Sequence, residues 1–126
     1  VNVPLIAIVD DDLGIREALS DFFMSVGYRA RTYCSAEEFL TLRPSSGIDV
    51  LVVDLMMAGM SGLDLQSSLR SEGGSPPLIM MTSHDDVAIS NAAFAGGAVG
   101  FVRKPFDTST LLASVDMALR IASATL

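Results

Sequence analysis

Three consecutive aspartates, Asp10-Asp11-Asp12, follow the apolar run Leu5 to Val9, and another, Asp54, closes the apolar run Val50 to Val53. The hydroxyls of Thr82 and Ser83 follow Leu78 to Met81, and the cations Arg103 and Lys104 follow Phe101-Val102. Carboxylates gathered within a few ångströms repel, so such a group takes up protons or collects a cation. A hard divalent ion such as Mg²⁺ prefers oxygen, accepts one or two carboxylates and completes its shell with water and phosphate. An aspartate can itself attack phosphorus to form an aspartyl phosphate. Phosphoryl transfer asks mainly for positioning and for neutralisation of the phosphoryl oxygens, which a metal, a lysine and a hydroxyl supply. Taken singly, each piece has a plainer role. An acidic run at a strand-to-helix turn also favours the next helix N-terminus, a lone threonine caps a strand end, and a lone lysine is a surface charge. Asp54 is more telling, because a carboxylate that ends a strongly apolar strand is costly unless neutralised.

Whether these groups meet depends on the elements that carry them. Leu5 to Val9 is continuously apolar, as in a strand covered on both faces. Ile15, Ala18, Leu19, Phe22, Phe23 and Val26 step by three and four, which makes one helical stripe. Gly27 follows where a left-handed cap is cheapest. Tyr28 to Tyr33 alternates as a strand nearer the sheet edge. Ser35-Ala36-Glu37-Glu38 has the S-x-x-E pattern of a capping box, and Arg43-Pro44 ends the short helix that it opens. Val50 to Val53 is a third strand, Leu55 to Gly62 a loop, Leu63 to Arg70 a helix and Glu72 to Pro77 a turn. Leu78 to Met81 is a fourth strand. Asp86 to Ala95 reads as a helix with few large apolar anchors. Phe101-Val102 centres a fifth strand. Leu111, Leu112, Val115, Ala118, Leu119 and Ala122 form a final stripe, with Asp107 placed as its N-cap.

This strict alternation predicts an α/β fold, a doubly wound five-stranded parallel sheet in the order 2-1-3-4-5. In that order strands 1, 3, 4 and 5 are neighbours. Their carboxyl ends share one edge of the sheet, where ligands of such folds bind. The aspartates, Thr82 and Lys104 all fall on that edge.

Composition narrows the function. The 126 residues are 50% hydrophobic and 18% charged, which excludes intrinsic disorder. One cysteine, Cys34, rules out an internal disulfide. Eight basic against fifteen acidic residues give a net charge of −7 and a pI near 4.4, so direct nucleic-acid binding is not expected. The longest uncharged run, Val87 to Val102, falls short of the ~20 apolar residues of a membrane helix. No basic-then-apolar leader opens the chain, and a cytoplasmic location is expected.

The chain resembles the receiver domain of two-component response regulators. The matching pieces are Ile8-Val9-Asp10-Asp11-Asp12, Val53-Asp54-Leu55, Gly59-Met60-Ser61-Gly62, Met81-Thr82-Ser83 and Lys104-Pro105-Phe106, in order along the whole chain. Ser83-His84-Asp85-Asp86-Val87 and Gly97-Ala98-Val99 lean toward the FixJ-like subgroup. The resemblance implies a flavodoxin-like (βα)5 fold over residues 1–126, with any output domain outside them. It implies that Asp54 is the phosphoacceptor and that Mg²⁺ (or Mn²⁺) is held by Asp10, Asp11, Asp54 and the backbone carbonyl of Met56. Thr82 and Lys104 would then contact phosphoryl oxygens, and Phe101 would be the switch aromatic that follows Thr82. The Lys104-Pro105 bond would be cis. The implied partners are a sensor histidine kinase, a second copy on phosphorylation, and a C-terminal DNA-binding output domain. The protein would be a switch that promotes its own phosphorylation and dephosphorylation, not an enzyme.

The chain departs from the family at Ala58, where proline is usual, and at Gly100, where a polar residue is common. With Gly96-Gly97, the latter suggests mobility around the fifth strand. Other readings of the same residues are a receiver-like binding module that uses no phosphate, a phosphatase of the haloacid dehalogenase type and a flavodoxin-like FMN carrier. The phosphatase wants a second aspartate two residues after Asp54, where Met56 stands. The FMN carrier wants a hydroxyl- and glycine-rich loop where Asp10-Asp11-Asp12 stands. His84 is placed to tune hydrolysis of an acyl phosphate or is a plain loop residue. Met56, Met57 and Met60 are adaptable enough for a partner contact.

Overall fold

The computed structural model describes residues 3–44, 46–83 and 87–124, the side chains of 122–124 excepted. The elements alternate as β1 (Leu5–Val9), α1 (Leu13–Ser25), β2 (Arg29–Tyr33), α2 (Ala36–Leu42), β3 (Val50–Asp54), α3 (Gly62–Ser71), β4 (Leu78–Thr82), α4 (Val87–Ala95), β5 (Gly100–Arg103) and α5 (Thr108–Ala124). All strand pairings are parallel, and the order is β2-β1-β3-β4-β5, as the alternation predicts.

The central strands β1, β3 and β4 are buried at every position, which is why they carry unbroken apolar runs. Successive residues feed opposite faces. Ala7, Val9, Leu51, Val53 and Met80 pack with Phe39, Leu65, Leu69 and Ala93, so α2, α3 and α4 cover one face. Ile6, Ile8, Val50, Val52, Ile79 and Met81 pack with Leu19, Phe23, Leu111 and Val115, so α1 and α5 cover the other. The edge strand β2 buries only Tyr33, in keeping with its mixed composition.

Several ends follow their local chemistry. Gly27 takes φ +100° just past α1, and the Asp107 carboxylate accepts the Ser109 N–H at the start of α5. The expected box at α2 forms by half. Ser35 accepts the Glu38 N–H at 3.0 Å, but the Glu38 carboxylate accepts the Cys34 N–H at 2.6 Å instead of that of Ser35. A complete box forms at α3, where Ser61 and Asp64 each accept the other's N–H. The strand expected from Tyr28 begins at Arg29. The helix expected from Leu63 begins at Gly62. His84, Asp85 and Asp86, including the expected start of α4, lie outside the described residues, as does the side chain of Ala122.

Gly62 is fixed by space. A Cβ there would lie 2.7 Å from Met80 Sδ, 2.8 Å from the Asp54 carbonyl oxygen and 3.0 Å from Leu55 Cα. Two of those atoms are backbone at the end of β3 and cannot yield without moving Asp54. Gly62→Ala is expected to lower stability by about 2 kcal/mol, a typical overpacking cost, in urea denaturation.

Candidate functional site

The carboxyl ends of β1, β3 and β5 bring Asp10, Asp11, Asp54 and Lys104 together. One oxygen from each of the three aspartates lies within 4.8 Å of the others. Lys104 Nζ donates to Asp10 Oδ2 at 2.7 Å and stands 3.4 Å from Asp54 Oδ1. Asp10 is fully buried and Asp54 nearly so, whereas Asp11 is exposed. Lys104 is placed by its own backbone, whose N–H donates to the Thr82 carbonyl at 2.6 Å, and the Lys104-Pro105 bond is cis.

The three consecutive aspartates divide the work. Asp10 is fully engaged, since Oδ1 accepts the Asp12 N–H at 2.9 Å while Oδ2 holds Lys104. Arg16 donates to the Asp10 carbonyl at 2.7 Å and locks the turn. Asp11 faces the loop after β3, where Ala58 N–H donates to its Oδ2 at 3.3 Å. A proline at 58 has no N–H to give. Asp12 does not join the cluster. It is the N-cap of α1 and accepts the Ile15 N–H at 3.1 Å, the plainer of the roles open to an acidic run.

Of the other residues singled out, Thr82 is buried at the end of β4, paired in register with Arg103. Phe101 is half-buried against the α2–α3–α4 side of the core, its ring 6.2 Å from that of Phe94. The Met56 side chain is exposed. Gly96 sits so close to Gln66 that a Cβ would not fit, so close packing accounts for that glycine. One contributor escapes sequence reasoning. Glu37, in the first turn of α2, accepts the Met60 N–H at 3.2 Å and lies against Gly59, whose φ is +78°. It braces the loop that carries Met56 and Ala58, and nothing in the local pattern around Glu37 signals a contact so distant in the chain.

Burial pushes the Asp54 carboxyl above its ordinary range, and the Asp10 charge pushes it further; the Lys104 ammonium and the Met56 N–H offset part of this. A carboxyl whose pKa is higher folded than unfolded binds more protons in the native state. Its ionisation therefore costs stability, and the cost is absent below the unfolded value and complete above the folded one. Asp54→Asn is expected to stabilise the metal-free chain at neutral pH, by an amount within the ~0.5–3 kcal/mol span of single substitutions. The gain should vanish as pH falls through the unfolded carboxylate range, in thermal denaturation series across pH.

The donor set suits a hard divalent ion. Three carboxyl groups gather around one ammonium, and a divalent ion with oxygen ligands would balance their surplus of negative charge.

Comparison with known proteins points the same way. The sequence model of the family described as "Response regulator receiver domain" matches residues 6–116. The chain is 37% identical over 118 residues to the response regulator protein TmoT of Ectopseudomonas mendocina, covering 94% of this chain and 54% of that protein. It is 32% identical over 117 residues to the transcriptional regulatory protein FixJ of Bradyrhizobium diazoefficiens, covering 93% of this chain and 57% of that one. The crystal structure of FixJ-N superposes with a TM-score of 0.87 at 32% identity, covering 95% of this chain and 96% of that chain. The chain spans about half the length of the curated relatives it matches. Among the described residues no helix is long and apolar enough to cross a membrane.

Proposed function

The chain belongs to the response regulator receiver domain family, and from that premise we propose that it is a phosphorylation-driven switch whose acceptor is Asp54. The observation that carries the reading is the shared edge, where Asp10, Asp11 and Asp54 lie within 4.8 Å of one another and Lys104 reaches two of them. The phosphoryl group comes from a phosphohistidine of a sensor histidine kinase. An Asp54 oxygen forms the new O–P bond as the N–P bond breaks, and the imidazole nitrogen leaves with the bonding electrons and takes a proton. Asp10, Asp11, Asp54 and the Met56 carbonyl would hold Mg²⁺ or Mn²⁺, which when bound supplies neutralisation of the phosphoryl oxygens.

Lys104, a compact charge on a flexible stem, passes from the carboxylates to a phosphoryl oxygen. The Thr82 hydroxyl donates to another. Phe101 moves inward after Thr82, and the surface of α4, β5 and α5 changes. That surface then controls pairing with a second copy or an output domain on the C-terminal side of residues 1–126. Moving such a balance from 1:99 to 99:1 takes about 5.5 kcal/mol of preferential binding to the active form. Hydrolysis of the acyl phosphate resets the switch, so the protein is not an enzyme in the turnover sense. The net charge of −7 leaves DNA contact to an output domain.

The test is incubation with a small phosphodonor, with and without Mg²⁺, followed by intact mass and sizing. One added phosphoryl group that requires the divalent ion is expected. Labelling that is indifferent to the ion would refute the reading.

A further inference from the structure

We propose that Gln66 is a positioning residue for α4: its buried amide ties the C-terminal turn of that helix to α3, so that α4 is anchored there and rearranges by pivoting about that end. Gln66 lies in the middle of α3 and is 5% exposed. Its Nε2 donates to the Ala93 carbonyl at 2.9 Å. That carbonyl is one of those in the last turn that a helix leaves without an intrahelical partner. It also accepts the Ala98 N–H at 3.0 Å, so the helix end and the side-chain tie share one acceptor.

Gly96 completes the fit. A Cβ at 96 would lie 2.5 Å from Gln66 Oε1, 2.7 Å from Cδ and 3.1 Å from Nε2. The end of a glutamine is flexible, but here it cannot retreat without giving up the bond to Ala93, and a buried amide left half-bonded is costly. The bonded glutamine therefore needs a glycine at 96. Elsewhere α4 contacts the core through half-buried Ile89. Ala93 is its one buried residue among those described, while Val87 at the other end is 70% exposed. A helix tied firmly at one end and loosely packed elsewhere moves most at the loose end.

The tie itself is independent of phosphorylation; only the pivoting rests on the proposed function. The test uses the full chain with Gln66→Ala, Gly96→Ala and the double variant. Gln66→Ala is expected to speed hydrogen exchange of the Gly96, Gly97 and Ala98 amides at least tenfold, while β1 and β3 amides stay protected. Gly96→Ala alone is expected to lower the folding constant at least tenfold. In the Gln66→Ala background it should lower it less than threefold, because truncation opens the space that the Cβ needs. Unchanged exchange at 96–98, or additive effects in the pair, overturns the tie. With a phosphodonor and Mg²⁺, amide chemical-shift changes are expected to concentrate in Val87–Asn91 of the parent and to spread through 93–98 in Gln66→Ala. Equal changes along α4 in the phosphorylated parent overturn the pivot. A parent chain that takes no phosphoryl group defeats the proposed function and removes the pivot with it, while the exchange and coupling results still decide the tie.

Discussion

Asp54→Asn is expected to take up phosphoryl group from a small phosphodonor at least about a thousandfold more slowly than the parent, as losses of a nucleophile generally do. The amide has no anionic oxygen to form the O–P bond, and its geometry otherwise matches the carboxylate. The neighbours are poor substitutes. Both Asp10 oxygens already hold N–H donors, one from Asp12 and one from Lys104. Asp11 is exposed, and Ala58 N–H occupies one of its oxygens. Intact mass reads the label and peptide mapping locates it. The variant must be folded for the result to count, and the expected stability gain at neutral pH provides that control. Label that persists and maps to Asp10 or Asp11 would move the acceptor and leave Asp54 with a metal-holding role alone.

The parts legible in the sequence were those that repeat over a strand or a helix. Unbroken apolar runs at Leu5–Val9, Val50–Val53 and Leu78–Met81 announced buried parallel strands, right-handed crossovers left few topologies, and the common five-strand order among them, β2-β1-β3-β4-β5, is the one found. Once the order is known, placing Asp10, Asp54 and Lys104 on one edge follows, because each ends a strand. Contacts between side chains of distant elements were not legible. Ser35 and Glu38 have the right spacing for a reciprocal cap, yet the glutamate turned to the Cys34 N–H one residue earlier. Gly62 reads as a loop breaker, but its need is for room beside Met80 and the Asp54 carbonyl. Gln66 and Glu37 carry no local mark at all, since what they touch lies 27 and 23 residues away. The convergence of Asp10, Asp11, Asp54 and Lys104 was legible, because these residues sit at strand ends fixed by topology.

Lys104→Met is expected to destabilise the metal-free chain at neutral pH by about 3–5 kcal/mol, the usual cost of breaking a buried pair by removing one partner. Methionine keeps the length of the apolar stem, so packing is largely preserved and the charge is what is lost. The loss is large because the Lys104 and Asp10 side chains are 14% and 0% exposed, and Asp54 sits beside them. Without the ammonium, two carboxylates face each other out of water. The Lys104 charge also holds the Asp54 carboxyl down against burial and the Asp10 charge, so its removal raises that carboxyl further. A carboxyl raised further above its unfolded value costs more when ionised, so the deficit should be full above the new folded pKa and shrink as pH falls through it. Two additions distinguish charge from packing. Saturating Mg²⁺ should recover part of the deficit by binding the folded state, to an extent that grows with ion concentration. Asp54→Asn in the same chain should recover another part, a coupling visible in a double-mutant cycle. A deficit that is flat with pH, indifferent to Mg²⁺ and equal in the Asp54→Asn background would mean that Lys104 contributes only its stem. The electrostatic account of the site would then fail at its centre, because the same ammonium is asked to meet the phosphoryl group.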